Sequence, residues 1–205
     1  ITGITGLLFS FTRGAWIGFL ISIPFLFLNK QNKIPFLKCG ILTIIFGIFL
    51  FQTPLIKNTF ETRLGSNLKR ISLFKAAIEG FKESPILGLG HRNFEANSKR
   101  LKQKAGLPYP EHSGHAHNNY LEHLASLGSI GFIAFMLFVI FWGIEMWRNF
   151  TPLNQVFFAF YINFLVSGLT QYTFGDGENL FFIMGCYTIT RVLANNERLK
   201  RKHIN

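Results

Sequence analysis

Apolar residues in this chain fall in long blocks separated by short polar stretches, with one wide polar interruption. Five blocks stand out: Ala15–Leu28, Ile34–Phe51, Leu124–Trp142, Val156–Tyr172 and Leu180–Leu193. Apolar runs that approach about 20 residues predict helices that cross a bilayer. Some are short for a full span, so flanking residues must contribute or the bilayer must thin locally. A sixth stretch, Ile1–Phe11, is too short to cross and lacks the basic head and small-residue cleavage site of a signal peptide. It reads as the tail of a helix that starts upstream, which makes the chain the C-terminal part of a longer polytopic protein. Inside the polar interruption, Gln52–His123, the residues Leu73, Phe74, Ala77, Ile78 and Phe81 recur at helical spacing. They predict an amphipathic helix whose apolar face rests on the bundle or the interface, stopped by Ser84-Pro85 and followed by a tight turn at Gly88-Leu89-Gly90.

Composition narrows the class. Of 205 residues, 49% are hydrophobic and 25 are Phe, while only 15% are charged, against roughly a quarter in typical soluble domains. So many aromatics exclude a disordered chain. The two cysteines, Cys39 and Cys186, sit in separate apolar runs and read as buried hydrophobes rather than a disulfide framework. The net charge of +11 would fit a nucleic-acid binder, but basic residues that border apolar runs mark membrane topology instead. Lys30, Lys33 and Lys38 in the Asn29–Lys38 loop, and Arg198, Lys200, Arg201 and Lys202 in the tail, predict cytoplasmic segments. Four crossings between them return the chain to the same side, and the Glu145–Pro152 loop with Arg148 falls inside too. Phe11–Gly14, the long insert and Phe174–Asn179 fall outside. The insert carries eleven Lys or Arg against six acids, but long loops translocate largely regardless of charge. A basic surface outside the membrane favours an anionic partner. The expected fold is therefore all-α: a polytopic transmembrane helix bundle of about five full spans plus a partial N-terminal one, with a large helical extracytoplasmic loop. The expected divisions are 1–51, the loop 52–123, three membrane helices in 124–194 and a basic cytoplasmic tail, 195–205.

Three places could carry chemistry. Arg13 lies in Ser10-Phe11-Thr12-Arg13-Gly14, between apolar stretches. An arginine at membrane depth costs roughly 2.5–3.5 kcal/mol on insertion scales. It is either a turn residue snorkelling to the headgroups or a cation aimed at a phosphate near the outer surface. The Gly88–Gly90 turn could cradle a phosphate, but no strand precedes it and no GK[ST] follows, which favours a plain turn. The richest stretch is His112-Ser-Gly-His115-Ala-His117-Asn118-Asn-Tyr120-Leu-Glu122-His123, where four of the six histidines fall. Its spacing matches no zinc pattern and contains no HExxH. It is either a polar helix start capped by Asn118, or a site with a histidine general base working near neutral pH. Helical spacing would place His117 beside Tyr120 and Leu121, and Asn118 beside Glu122, giving one polar face at the membrane surface. Gly14-xxx-Gly18 and Gly128-xx-Gly131 read as close helix packing, and Asp176 and Glu178 as a solvated turn or acceptor-sugar contacts.

Taken together, these segments resemble the O-antigen ligase and polymerase family of bacterial membrane proteins. Ser10-Phe-Thr12-Arg13-Gly14-Ala15-Trp16 is similar to that family's S/T-x-S/T-R-G-A-W stretch. Arg70 with the helix ending at Pro85-Ile-Leu-Gly88-Leu-Gly90 resembles its R…P-L-x-G-x-G segment, and His115-Ala-His117-Asn118-Asn-Tyr120-Leu121-Glu122 its H-x-H-N-x-Y-L-E element. The resemblance covers roughly Thr12–Trp142; Ser126 departs from it, since the family often has an acid before Leu127-Gly128. It implies a metal-independent, cofactor-free inverting glycosyltransferase of the bacterial inner membrane, working on the periplasmic face. The donor would be an undecaprenyl-pyrophosphate-linked glycan and the acceptor lipid A-core or a growing glycan, among membrane lipids and without nucleic acid. The resemblance makes 52–123 the catalytic loop and His117 the catalytic base. Arg13 and Arg70 would hold the pyrophosphate, with His115, Asn118, Tyr120 and Arg92 as further substrate contacts and Arg63 in reserve. A polymerase extending repeat units or a protein O-oligosaccharyltransferase would share the donor chemistry. A transporter should show broken helices and paired ionisable groups at mid-membrane, and these spans contain almost none.

Overall fold

The computed structural model describes residues 13–53 and 64–204. Every regular element among them is helical, as expected, and none is a strand. Helix α1 (Arg13–Ser22) runs into a 3₁₀ turn (Ile23–Phe27), where Pro24 removes a backbone donor and ends the α-helix. Then come α2 (Ile34–Gln52), α3 (Leu64–Glu83), α4 (Asn93–Lys104), α5 (Asn119–Arg148), α6 (Pro152–Ser167), a 3₁₀ turn (Thr173–Gly175) and α7 (Gly177–Ile204). Among the described residues, α5 is long and apolar enough to cross a membrane, whereas Gly14–Phe27, Ile34–Leu50 and Pro152–Ser167 are apolar but shorter. The helices form two compact units, and α5 contributes to both.

The first unit takes Phe138–Ser167, the described residues up to Phe51 and those from Asp176 onward. Its centre is Trp142, which donates from Nε1 to Thr190 Oγ1 at 2.9 Å and packs edge-on against Tyr161 and Tyr187. Gly18 leaves room for Asn163 and Ser167 of α6, so close packing holds there. The short loops that carry basic residues lie together in this unit. Lys30 donates to the Trp147 carbonyl and sits over the Trp147 and Phe150 rings, while Arg191 pairs with Glu145. Asp176 and Glu178 are exposed at the head of α7, and Asp176 accepts from the Asn179 amide.

The second unit, Gln52–Leu137 with Gly168–Gly175, has a core of Ala76 and Ala77 from α3, Phe94 and Leu101 from α4, Ala116 and Ala125. The expected amphipathic helix is present, but its buried row is Leu73, Ala76, Ala77 and Gly80, and Ile78 is exposed. Small residues win that face because α4 approaches closely. A side chain at Gly80 would press on Leu89 and Leu101.

Gly128 packs closely, but against a loop rather than another helix. Its φ of 63° and ψ of −166° break α5, so the usual bonds from Ser129 and Ile130 back to Ala125 and Ser126 cannot form. The Pro85–Gly90 loop replaces both halves. Leu89 and Gly90 donate to the Ala125 and Ser126 carbonyls at 2.9 Å, while Ser129 and Ile130 donate to Pro85 and Ile86. This exchange answers the requirement that buried backbone groups be paired. It also occupies the very amide groups a phosphate would need, so the Gly88–Gly90 segment is a structural turn.

Candidate active site

The stretch from His112 to His123 begins as an irregular loop and becomes helical at Asn119. Asn118 is the cap: its Oδ1 accepts the Leu121 amide at 2.9 Å, as its position before the apolar run predicted. His117 lies outside the helix, with φ of 47°, in the left-handed region that non-glycine residues rarely adopt. The helical neighbours expected for it therefore do not apply. In the first turns of α5, Asn119, Glu122, His123 and Ser126 are all buried.

The loop is held by contacts the spacing did not reveal. Glu122 Oε2 accepts the Ala116 amide at 2.7 Å, and its Oε1 accepts the Ser126 hydroxyl at 3.2 Å. Ser98 Oγ receives the Gly114 amide. Lys102, with no exposed surface, donates to the carbonyls of Tyr109 and His112, and burial pulls its ammonium below the ordinary lysine range. Across the top of α5, Asn119 donates its backbone amide to Gly168 at 2.7 Å and pairs reciprocally through its side chain with Thr173. Asn118 Nδ2 donates to the Leu169 carbonyl at 2.9 Å.

These restraints set the His115 and His117 rings edge to face, 4.1 Å between centroids. The His117 side chain is half-buried, and its Nδ1 lies out of solvent with no hydrogen-bond partner among the described residues. Burial first, then the charges of His115, Arg70 and His112, lower its pKa to about 4. Its imidazole is therefore neutral at physiological pH. Arg70, on α3, reaches the Thr170 carbonyl and contributes its field to His117.

Of the residues expected to form a site, Arg70, His115, His117 and Asn118 are thus brought together. Tyr120 lies half-buried in the first turn of α5 with its ring against Phe135. Arg92 stands exposed at the head of α4 with a left-handed backbone, and the charges acting on His117 come from other residues. Arg13 opens α1, but its side chain, like all of Arg63, lies outside the described residues. Among the described residues, no three His, Cys, Asp or Glu side chains are grouped as a metal site requires. Spacing placed Glu122 beside Asn118 without showing its bond to Ala116, and it missed Lys102, Tyr172 and Thr173. Only Glu122 carried a local signal, as an acid in the first turn of a helix.

A family model described as O-Antigen ligase matches residues 1–136. No curated protein and no solved structure matches the chain. That family consists of bacterial inner-membrane proteins, and its activity implies lipid-linked glycans and polysaccharide acceptors as partners. The match spans more than half of the chain and takes in Arg70, the Pro85–Gly90 loop and the histidine pair. On this evidence the chain belongs to the O-antigen ligase family.

Proposed function

We propose that this protein is a membrane glycosyltransferase that moves a glycan from undecaprenyl pyrophosphate to a sugar hydroxyl of lipid A-core, on the outer face of the inner membrane. The observation that carries this reading is a guanidinium, Arg70, near enough for its charge to act on a half-buried neutral imidazole, His117, from an element distant in sequence. A donor outside the cytoplasm has no nucleotide-sugar pool to draw on, so it is lipid-linked and its leaving group is a pyrophosphate. Planar guanidinium groups suit those oxygens and stabilise charge that builds as the glycosidic bond breaks. Together with Arg13, Arg70 would supply that stabilisation.

In the step itself the acceptor hydroxyl attacks the anomeric carbon as the bond to the pyrophosphate oxygen breaks, and the configuration inverts. His117 takes the hydroxyl proton, a role worth typically 10²–10⁴-fold in rate. A base with a pKa of about 4 is weak until something raises it. A pyrophosphate beside Arg70 does so by bringing negative charge next to the ring and offsetting the guanidinium. The base then gains strength only when donor is in place.

The topology proposed here puts the Asn29–Lys38 loop, the Glu145–Pro152 loop and the tail in the cytoplasm. The meeting of Lys30 with Trp147 and of Arg191 with Glu145 supports it. The exposed apolar side chains of α2, among them Ile41, Leu42, Ile45 and Phe49, support contact with lipid or with other membrane helices.

The test is the surface-glycan ladder of cells carrying the full-length protein with His117→Ala or Arg70→Ala. A ligase loses all attached glycan while lipid-linked glycan accumulates. A polymerase loses only the long chains and keeps single-unit material attached. An unchanged ladder with the variants present in the membrane would overturn the assigned roles.

A further inference from the structure

The segment Gly168–Gly175 lies beyond the family-matched residues 1–136, yet it belongs to the same compact unit as the histidine pair. Five hydrogen bonds stitch it to the site: the Gly168 and Leu169 carbonyls accept from Asn119 and Asn118, the Thr170 carbonyl accepts from Arg70, and Thr173 exchanges two bonds with the Asn119 side chain. At its centre is Tyr172, 8% exposed. Its ring meets His115 at 5.8 Å and His123 at 5.9 Å between centroids, both edge to face.

We infer that Tyr172 is a positioning residue for the proposed transfer: held by the Asn119–Thr173 pair, its ring backs His115 and through it sets the orientation of His117. The inference rests on the function proposed above. Edge-to-face aromatic contacts have defined geometry, and His117 has a strained backbone and a buried Nδ1 with no partner among the described residues. A ring in that state keeps one orientation only if its neighbours impose it. His115 thus meets both His117, at 4.1 Å, and Tyr172, at 5.8 Å between centroids. Tyr172 itself is buried, and the groups whose charges act on His117 are His115, Arg70 and His112.

The experiment compares Tyr172→Phe, Tyr172→Leu and Thr173→Val in the full-length protein, measuring glycan transfer in membranes as a function of pH. Phe keeps the ring and should retain near wild-type turnover. Leu removes it and should lower turnover about tenfold to a hundredfold, the scale of a small misplacement of a reacting group. It should also shift the acid limb of the pH profile upward as water reaches the pair. Thr173→Val, which removes the acceptor of Asn119 Nδ2, should move both readouts the same way by a smaller factor. Wild-type turnover and acid limb in both Leu and Val variants would overturn the inference, as would equal impairment of Phe and Leu. If the Leu variant fails to accumulate, the Val variant decides. His117→Ala in the same assay separates the two levels. If it transfers normally, the proposed function fails. If it is dead while the Tyr172 and Thr173 variants are normal, only this inference fails.

Discussion

Gly88 and Gly128 meet backbone to backbone: a Cβ on Gly88 would strike the Gly128 nitrogen, and one on Gly128 would strike the Gly88 nitrogen. Both have positive φ, 71° and 63°. Each glycine is therefore required twice, for its conformation and for the contact. The contact also keeps the Pro85–Gly90 loop close enough to take over the hydrogen bonds that the kink releases.

Gly88→Ala or Gly128→Ala should accordingly cost about 3 kcal/mol, combining left-handed strain with overpacking. Thermal unfolding in detergent micelles would measure it. Because either change separates the same two segments, the double substitution should cost clearly less than the sum of the single ones.

Replacing Glu122 probes the histidine loop. Glu122→Ala strands the amide of Ala116, a residue with no exposed surface, and should destabilise by about 1–3 kcal/mol. Glu122→Gln keeps a carbonyl oxygen as acceptor and should lose less. Hydrogen exchange at Ala116 reports the difference directly, with faster exchange in the Ala variant.

Protonation of His117 makes a pH prediction with a definite sign. Its folded-state pKa, about 4, lies below the ordinary value near 6.5. Between these values the unfolded chain holds a proton that the folded chain does not, so stability rises with pH across this window and is lost as pH falls through it. In kinetics, kcat/KM reports the free enzyme and should keep its acid limb near the low value. The limb of kcat, which reports the donor-bound state, should lie at higher pH. Coincident limbs would show that donor leaves the base unaffected.

Lys102 sets two effects against each other. Lys102→Met removes two hydrogen bonds from the Tyr109 and His112 carbonyls, but it also removes a buried charge with its desolvation penalty. Tyr109 and His112 belong to a largely exposed loop, so a small opening should let water satisfy the released carbonyls. Global stability should therefore stay within about 1 kcal/mol. The 109–112 loop should become more readily cleaved in limited proteolysis, and that is the measurement.

Local features were legible where one stretch of chain supplied both the cause and the partner. The amphipathic helix read through Leu73–Phe81, its stop at Ser84-Pro85 and the Asn118 cap all rest on residues within a few positions of one another. Helical extrapolation failed at His117, because the helix begins only at Asn119 and Glu122 turns back to the preceding loop. Gly128 looked like a helix-packing glycine until its partner, a loop some forty positions upstream, supplied the missing bonds. Ile78 fitted the apolar period yet is exposed, since small Ala76 and Gly80 let α4 come closer on the neighbouring face.

By itself, the order of residues determined the all-helical class, the apolar blocks, the basic short loops and the motifs that resemble the family, because propensity, hydropathy and charge act through near neighbours. Only the tertiary structure decided that Arg70 acts on His117 and that Glu122 restrains the loop before it. It alone brought Tyr172 and Thr173 to the histidine pair. Those relations depend on hydrogen bonds and ring contacts between segments that meet only after the chain has folded, and no periodicity along one segment encodes the distance to another.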